Sequence, residues 1–117
     1  MNILVVDEAR VRREKLVKTV ESKKHTAVAC SGSNEFISAV QEGSVDRVLL
    51  DVNTWREGRS IYNYLGLARK LEKTPVVFYN APEGFTTLGD REANEHDRVL
   101  PESLDIDTLV NSIQQEL

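Results

Sequence analysis

Short apolar runs and helical stripes replace one another five times along this chain, and that alternation constrains the fold more than any other feature of the sequence. The runs are Ile3 to Val6, Thr26 to Cys30, Val48 to Leu50, Val76 to Tyr79 and the weaker Arg98 to Leu100. Most are rich in β-branched or aromatic residues and are continuously apolar, the pattern of strands buried on both faces of a parallel sheet. Between them the period lengthens to that of a helix. Leu16, Val17 and Val20 mark one stripe, Phe36, Ile37 and Val40 a second, and Ile61, Leu65, Ala68 and Leu71 a third. Ile106, Leu109, Val110, Ile113 and Leu117 form the last, behind Ser103 and Asp105, which suit the cap and the positive end of a helix start. Glu83 to Asp97, broken by Gly84 and Gly89 and by scattered charges, predicts only a short or irregular fourth helix. The order predicts an α/β domain: a doubly wound, five-stranded parallel sheet with right-handed crossovers and helices on both faces.

The 117 residues suffice for a single domain, 1–117, with its own core. The single cysteine, Cys30, excludes an internal disulfide, and without a Cys/His cluster it excludes a zinc site; a reducing cytoplasm is the expected setting. The first apolar run is interrupted at Asp7, too early for a signal peptide or a membrane span. The net charge of −4 is unevenly spread: residues 1–73 carry 13 Lys and Arg against 10 Asp and Glu, residues 74–117 only 2 against 9. An acidic chain with no basic stripe beyond its first helix argues against direct nucleic-acid binding. A protein partner, with the chain a monomer or a weak homodimer, is the expectation.

In open sheets of this kind ligands bind beyond the carboxyl ends of the strands. Strand 1 ends in Asp7-Glu8, strand 3 in Asp51 and strand 4 in Asn80-Ala81. Three acidic side chains in one crevice repel one another unless a hard cation such as Mg²⁺ sits among them. The local alternative is that Asp7 and Glu8 favour the positive start of the first helix and that Asp51 caps the segment after it.

Three segments together resemble the receiver domain of bacterial response regulators, the chemotaxis-Y type of the flavodoxin-like (βα)5 fold. They are Ile3-Leu4-Val5-Val6-Asp7-Glu8, Val48-Leu49-Leu50-Asp51 and Pro75-Val76-Val77-Phe78-Tyr79-Asn80-Ala81, and the resemblance spans essentially the whole chain. It implies that Asp51 is the phosphoacceptor for a histidine kinase. It also implies that Asp7, Glu8 and Asp51, with the backbone carbonyl of Asn53, are ligands of Mg²⁺, and that Asn80 holds the switch position at the end of strand 4. Such chemistry needs cations to neutralise the phosphoryl oxygens.

Much of that apparatus is altered. No lysine follows Lys73, so Leu100, Pro101 or Glu102 stands where the family carries its lysine. Asn80 replaces the hydroxyl of strand 4 and keeps only an amide donor. Arg98 or Asp97 replaces the strand-5 aromatic, Trp55 stands where a proline is usual, and Gly58 comes one residue early. Glu8 is one methylene longer than the usual aspartate, so divalent metal is expected to bind weakly.

Other function classes match less well. Asp51-Val52-Asn53-Thr54 only faintly resembles the haloacid dehalogenase phosphatase motif, lacking its second aspartate. Glu8-Ala9-Arg10-Val11 is no glycine-rich dinucleotide turn, and neither His25 nor His96 is tied by a motif to a nucleophile. The sequence therefore predicts a pseudo-receiver: a phosphorylation-independent protein-interaction module in signal transduction, not an enzyme, with a working phosphoacceptor at Asp51 as the alternative. Its docking face is expected on the acidic second half, around Glu92, Glu95 and Asp97, or else on the first helix around Arg10, Arg12 and Arg13.

Overall fold

A computed structural model describes residues 1–57, 71–85, 96–102 and 104–116, with side chains throughout except at 55–57. Five strands, β1 (Asn2–Val6), β2 (Thr26–Cys30), β3 (Arg47–Asp51), β4 (Val76–Ala81) and β5 (Arg98–Pro101), form one sheet in the order β2-β1-β3-β4-β5. Every pairing is parallel. Each predicted run is a strand. Pairing extends several of them: Asp51 partners Tyr79, and Ala81 partners Pro101 across an irregularity that begins at Phe78.

Among the described residues the helices are α1 (Arg10–Ser22), α2 (Ser33–Glu42), α3 (Val52–Glu57) and α4 (Ile106–Glu116). The unbroken apolar runs explain the two cores, because alternate side chains of one strand leave by opposite faces. Ile3, Val5, Leu49, Val77 and Tyr79 pack under Leu16 and Val20 of α1 and Leu109 and Ile113 of α4. Leu4, Val6, Val48, Leu50, Val76 and Phe78 face the other way, against Phe36 and Val40 of α2, with Leu71 and Cys30. Three strands, β1, β3 and β4, carry most of this core, and β4 is buried along its whole length. The edge strands are open, leaving Val28 and Val99 exposed.

Two local features add to the sequence reading. A helix, α3, starts directly after Asp51, whose carboxylate accepts the backbone N–H groups of Asn53 and Thr54 and so caps it, in line with the local alternative for Asp51. At the end of α1, Lys24 and His25 donate backwards to the carbonyls of Glu21 and Val20, a Schellman stop, with Lys24 at φ 65 in the left-handed position glycine normally takes. Several expectations lie outside the described residues: Ile61, Leu65 and Ala68 of the third stripe, Gly58 and the Trp55 side chain, Glu92 and Glu95, Ser103 and Leu117, and most of the segment read as an irregular fourth helix.

Candidate functional site

Neighbouring strands β1 and β3 end side by side, which brings Asp7 and Asp51 into one pocket although 44 positions separate them in the chain. Both are fully buried, at 0% exposure. Two buried carboxylates need compensation from hydrogen bonds and from positive charge. A side chain of the first turn of α1 supplies the charge. Arg12 donates from Nε to Asp7 Oδ2 at 2.5 Å and from Nη2 to Asp7 Oδ1 at 2.9 Å. The same Nη2 also reaches Asp51 Oδ2 at 3.1 Å. Arg12 is itself only 23% exposed and lies 6.0 Å from the centre of the Tyr79 ring.

Neutral donors complete the shell. Tyr79 donates its hydroxyl to Asp7 Oδ2 at 2.7 Å, and the Ala9 N–H donates to Asp7 Oδ1 at 2.8 Å. Asp51 Oδ2 accepts the Thr54 hydroxyl at 2.7 Å and the Thr54 N–H at 3.2 Å. Asp51 Oδ1 accepts the Asn80 side-chain amide at 3.0 Å and the Asn53 N–H at 3.4 Å. Asn80 does this from φ 56, a left-handed conformation that asparagine tolerates better than most residues. Thr54 ties the two strand ends together by also accepting the Glu8 N–H at 2.9 Å.

These contacts shift the groups that make them. Burial works against the charge on Arg12, yet its hydrogen bond to Asp7 and the two carboxylates outweigh that, and the guanidinium is held even more firmly protonated than usual. Burial first, then the charge and hydrogen bond of Asp7, push Tyr79 well above the ordinary phenol value. Elsewhere Cys30, buried at the end of β2, is pushed up to about 12 by burial first and then by Glu35. It is a core thiol held in its neutral form.

Of the residues singled out from the sequence, Asp7, Asp51 and Asn80 meet in the pocket. Glu8 and Asn53 have exposed side chains, and each contributes a backbone N–H. Among the described residues no group of three or more His, Cys, Asp and Glu side chains is placed to share a metal ion. Leu100 packs against the core under α1 and α4, and Glu102 is exposed with its N–H on the Ala81 carbonyl. Asp97 accepts the Val76 N–H at 2.8 Å and so organises the start of β4. Sequence reasoning missed Arg12, Thr54 and the Tyr79 hydroxyl as parts of the site. Signals for them existed: a first turn with Arg10, Arg12 and Arg13 and no acid opposes the helix dipole, and a tyrosine in a buried strand needs a partner for its hydroxyl.

The chain is similar over nearly its whole length to solved receiver structures. The chemotaxis response regulator CheY4 of Vibrio cholerae is matched with a TM-score of 0.73 and 17% identity, covering 99% of this chain and 98% of that one. The fold is that of a response-regulator receiver. A two-component response regulator from Clostridium difficile gives a TM-score of 0.72 at 18% identity, with 99% and 94% covered. The N-terminal domain of a response regulator/sensory box/GGDEF 3-domain protein from Carboxydothermus hydrogenoformans gives 0.71 at 16%, with 99% and 93% covered. No family model matches this sequence, and no curated protein matches it either.

The receiver fold implies Mg²⁺ at this end of the sheet, and the pocket does not fit it. Mg²⁺ demands near-octahedral oxygen ligands at short range. Here both oxygens of Asp7 and both of Asp51 already accept hydrogen bonds, and a guanidinium lies between the two carboxylates.

Proposed function

We propose that this domain is a receiver-like signalling module that works by docking to a protein partner, a histidine kinase or an output domain, without taking a phosphoryl group at Asp51. The observation that carries the reading is the state of Asp51, fully buried, with Arg12, Asn53, Thr54 and Asn80 on its two oxygens. A carboxylate attacks phosphorus through a free lone pair, with cations ready to neutralise the phosphoryl oxygens. Releasing one here means breaking charge-assisted bonds in a site closed to water. The missing lysine after Lys73 removes a second cation that such a transfer uses. The module acts as a binding surface, not as an enzyme.

The test is acetyl phosphate with Mg²⁺, read by intact mass. We expect most of the protein to stay unmodified. Rapid stoichiometric labelling that Asp51→Ala abolishes would establish the working phosphoacceptor instead. For the docking face we favour the acidic second half, whose 9 acidic residues against 2 basic ones suit a basic partner and salt-sensitive association. Because Asp97 holds the start of β4, only Glu92 and Glu95 should be reversed to lysine. A histidine kinase or output domain whose binding ignored that pair, with unchanged salt dependence, would move the face to α1.

A further inference from the structure

Two buried carboxylates at the ends of β1 and β3 require a cation, and in this chain the cation is covalently attached. Arg12 enters from the first turn of α1, where the helix dipole disfavours it and where Arg10 and Arg13 already concentrate positive charge. Helix stability does not account for a guanidinium in that place; the pocket does. Its planar fork takes both oxygens of Asp7, and one of its two Asp7-bonded nitrogens also reaches Asp51. Arg13 reinforces the arrangement from the same turn by donating to the Asp7 carbonyl at 2.9 Å.

We propose that Arg12 is a built-in replacement for the divalent ion at this pocket: it bridges Asp7 and Asp51, holds the ends of β1 and β3 and the start of α1 in one arrangement at any metal concentration, and excludes metal while it is there. The idea deepens the phosphorylation-independent reading and rests on its description of the pocket. A soluble ion enters and leaves with its concentration, whereas a tethered guanidinium does not. The carboxylates themselves are retained, so removing the guanidinium should leave a pair of oxygen ligands that attract a hard cation, with the exposed carboxylate of Glu8 close in sequence.

The experiment titrates the whole chain with Mn²⁺ and reads calorimetry together with paramagnetic broadening of the Asp7 and Asp51 amide resonances. Wild type, Arg12→Ala, Arg12→Gln and the double variant Arg12→Ala with Asp51→Asn are compared. Wild type should show no selective broadening, and its melting midpoint should be the same in Mg²⁺ and in EDTA. Arg12→Ala or Arg12→Gln should bind Mn²⁺ at least about tenfold more tightly and gain thermal stability from it, since a ligand that binds only the folded state stabilises it. The double variant should lose that binding. If a single variant is unfolded without metal, recovery of its circular dichroism on adding Mn²⁺ supports the proposal. Tight Mn²⁺ binding by wild type, or no gain by either single variant, folded or not, overturns it. Acetyl phosphate labelling separates the two ideas. Unlabelled wild type that binds metal tightly defeats only the Arg12 proposal, and wild type labelled at Asp51 even in EDTA defeats only the phosphorylation-independent function.

Discussion

Helices α1 and α4 lie on the same face of the sheet and begin in opposite ways. Helix α4 starts on a local device: Asp105 accepts the Thr108 N–H at 2.8 Å, and Asp107 adds an acid to the first turn. Helix α1 has no side-chain cap and no acid in its first turn, which holds Arg10, Arg12 and Arg13. Its start is held by the residue that follows β1, since Asp7 accepts the Ala9 N–H and the Arg12 fork, and from farther off by the reach of Arg12 to Asp51. One helix start is therefore wholly short-range. The other combines short-range contacts with one to the end of β3, and that is the start that carries the candidate site.

The sharpest way to break this contrast is Arg12→Ala in metal-free buffer. Removing one partner from a buried ionic network leaves uncompensated charge, and a loss of about 3–5 kcal/mol is expected in chemical denaturation. Asp105→Ala should cost far less, and similar losses at the two helix starts would remove the distinction. Tyr79→Phe comes next. It deletes a hydrogen bond to a buried carboxylate, worth about 1.5–3 kcal/mol, again measured by denaturation.

Tyr79 also sharpens the contrast through pH. Its folded-state value is raised, first by burial and then by Asp7, so the neutral phenol is the form the fold stabilises. The contribution is fully present below the unfolded tyrosine value of about 10 and is lost as pH climbs above it. Tyrosinate absorbance should show a phenol that ionises only on unfolding, and Tyr79→Phe should remove that contribution. Asp105 behaves in the opposite sense at the other helix. The Thr108 backbone N–H lowers its value, so its contribution is present above the ordinary aspartate range and fades as pH falls through the depressed folded value. A small loss of α4 protection in hydrogen exchange at acid pH, absent in Asp105→Ala, is the expected outcome.

The smallest effect belongs to the far end of α1. Lys24→Gly relieves a left-handed lysine at the Schellman position and should stabilise by about 0.5–1 kcal/mol, read as a raised melting midpoint. A loss would mean that the Lys24 side chain contributes more than its backbone strain removes.

Most of the sheet was legible in the sequence because the signal is local. A run such as Ile3-Leu4-Val5-Val6 is apolar at every position, and the pleat sends Ile3 and Val5 to one core and Leu4 and Val6 to the other. The strand ends were legible for the same reason: Asp7, Asp51 and Asn80 are the first polar residues after buried runs. The departures from the receiver pattern at Asn80 and after Lys73 were likewise open to reading. For Asp51 the sequence offered a metal site or a cap for the next segment, and the structure shows the cap at the start of helix α3.

The sequence by itself determined the alternating order of elements, the two-faced burial of the central strands and the presence of an acid at the end of two of them. Only the tertiary structure decided what those acids do. Arg12 and Asp51 are 39 positions apart, and Tyr79 is 72 positions from Asp7. Hydrophobic periodicity says which face of each segment is buried and is indifferent to which polar groups then meet. A buried charge must find its partner within a few ångströms, and the parallel register of β1, β3 and β4 supplies that partner only after the sheet has formed.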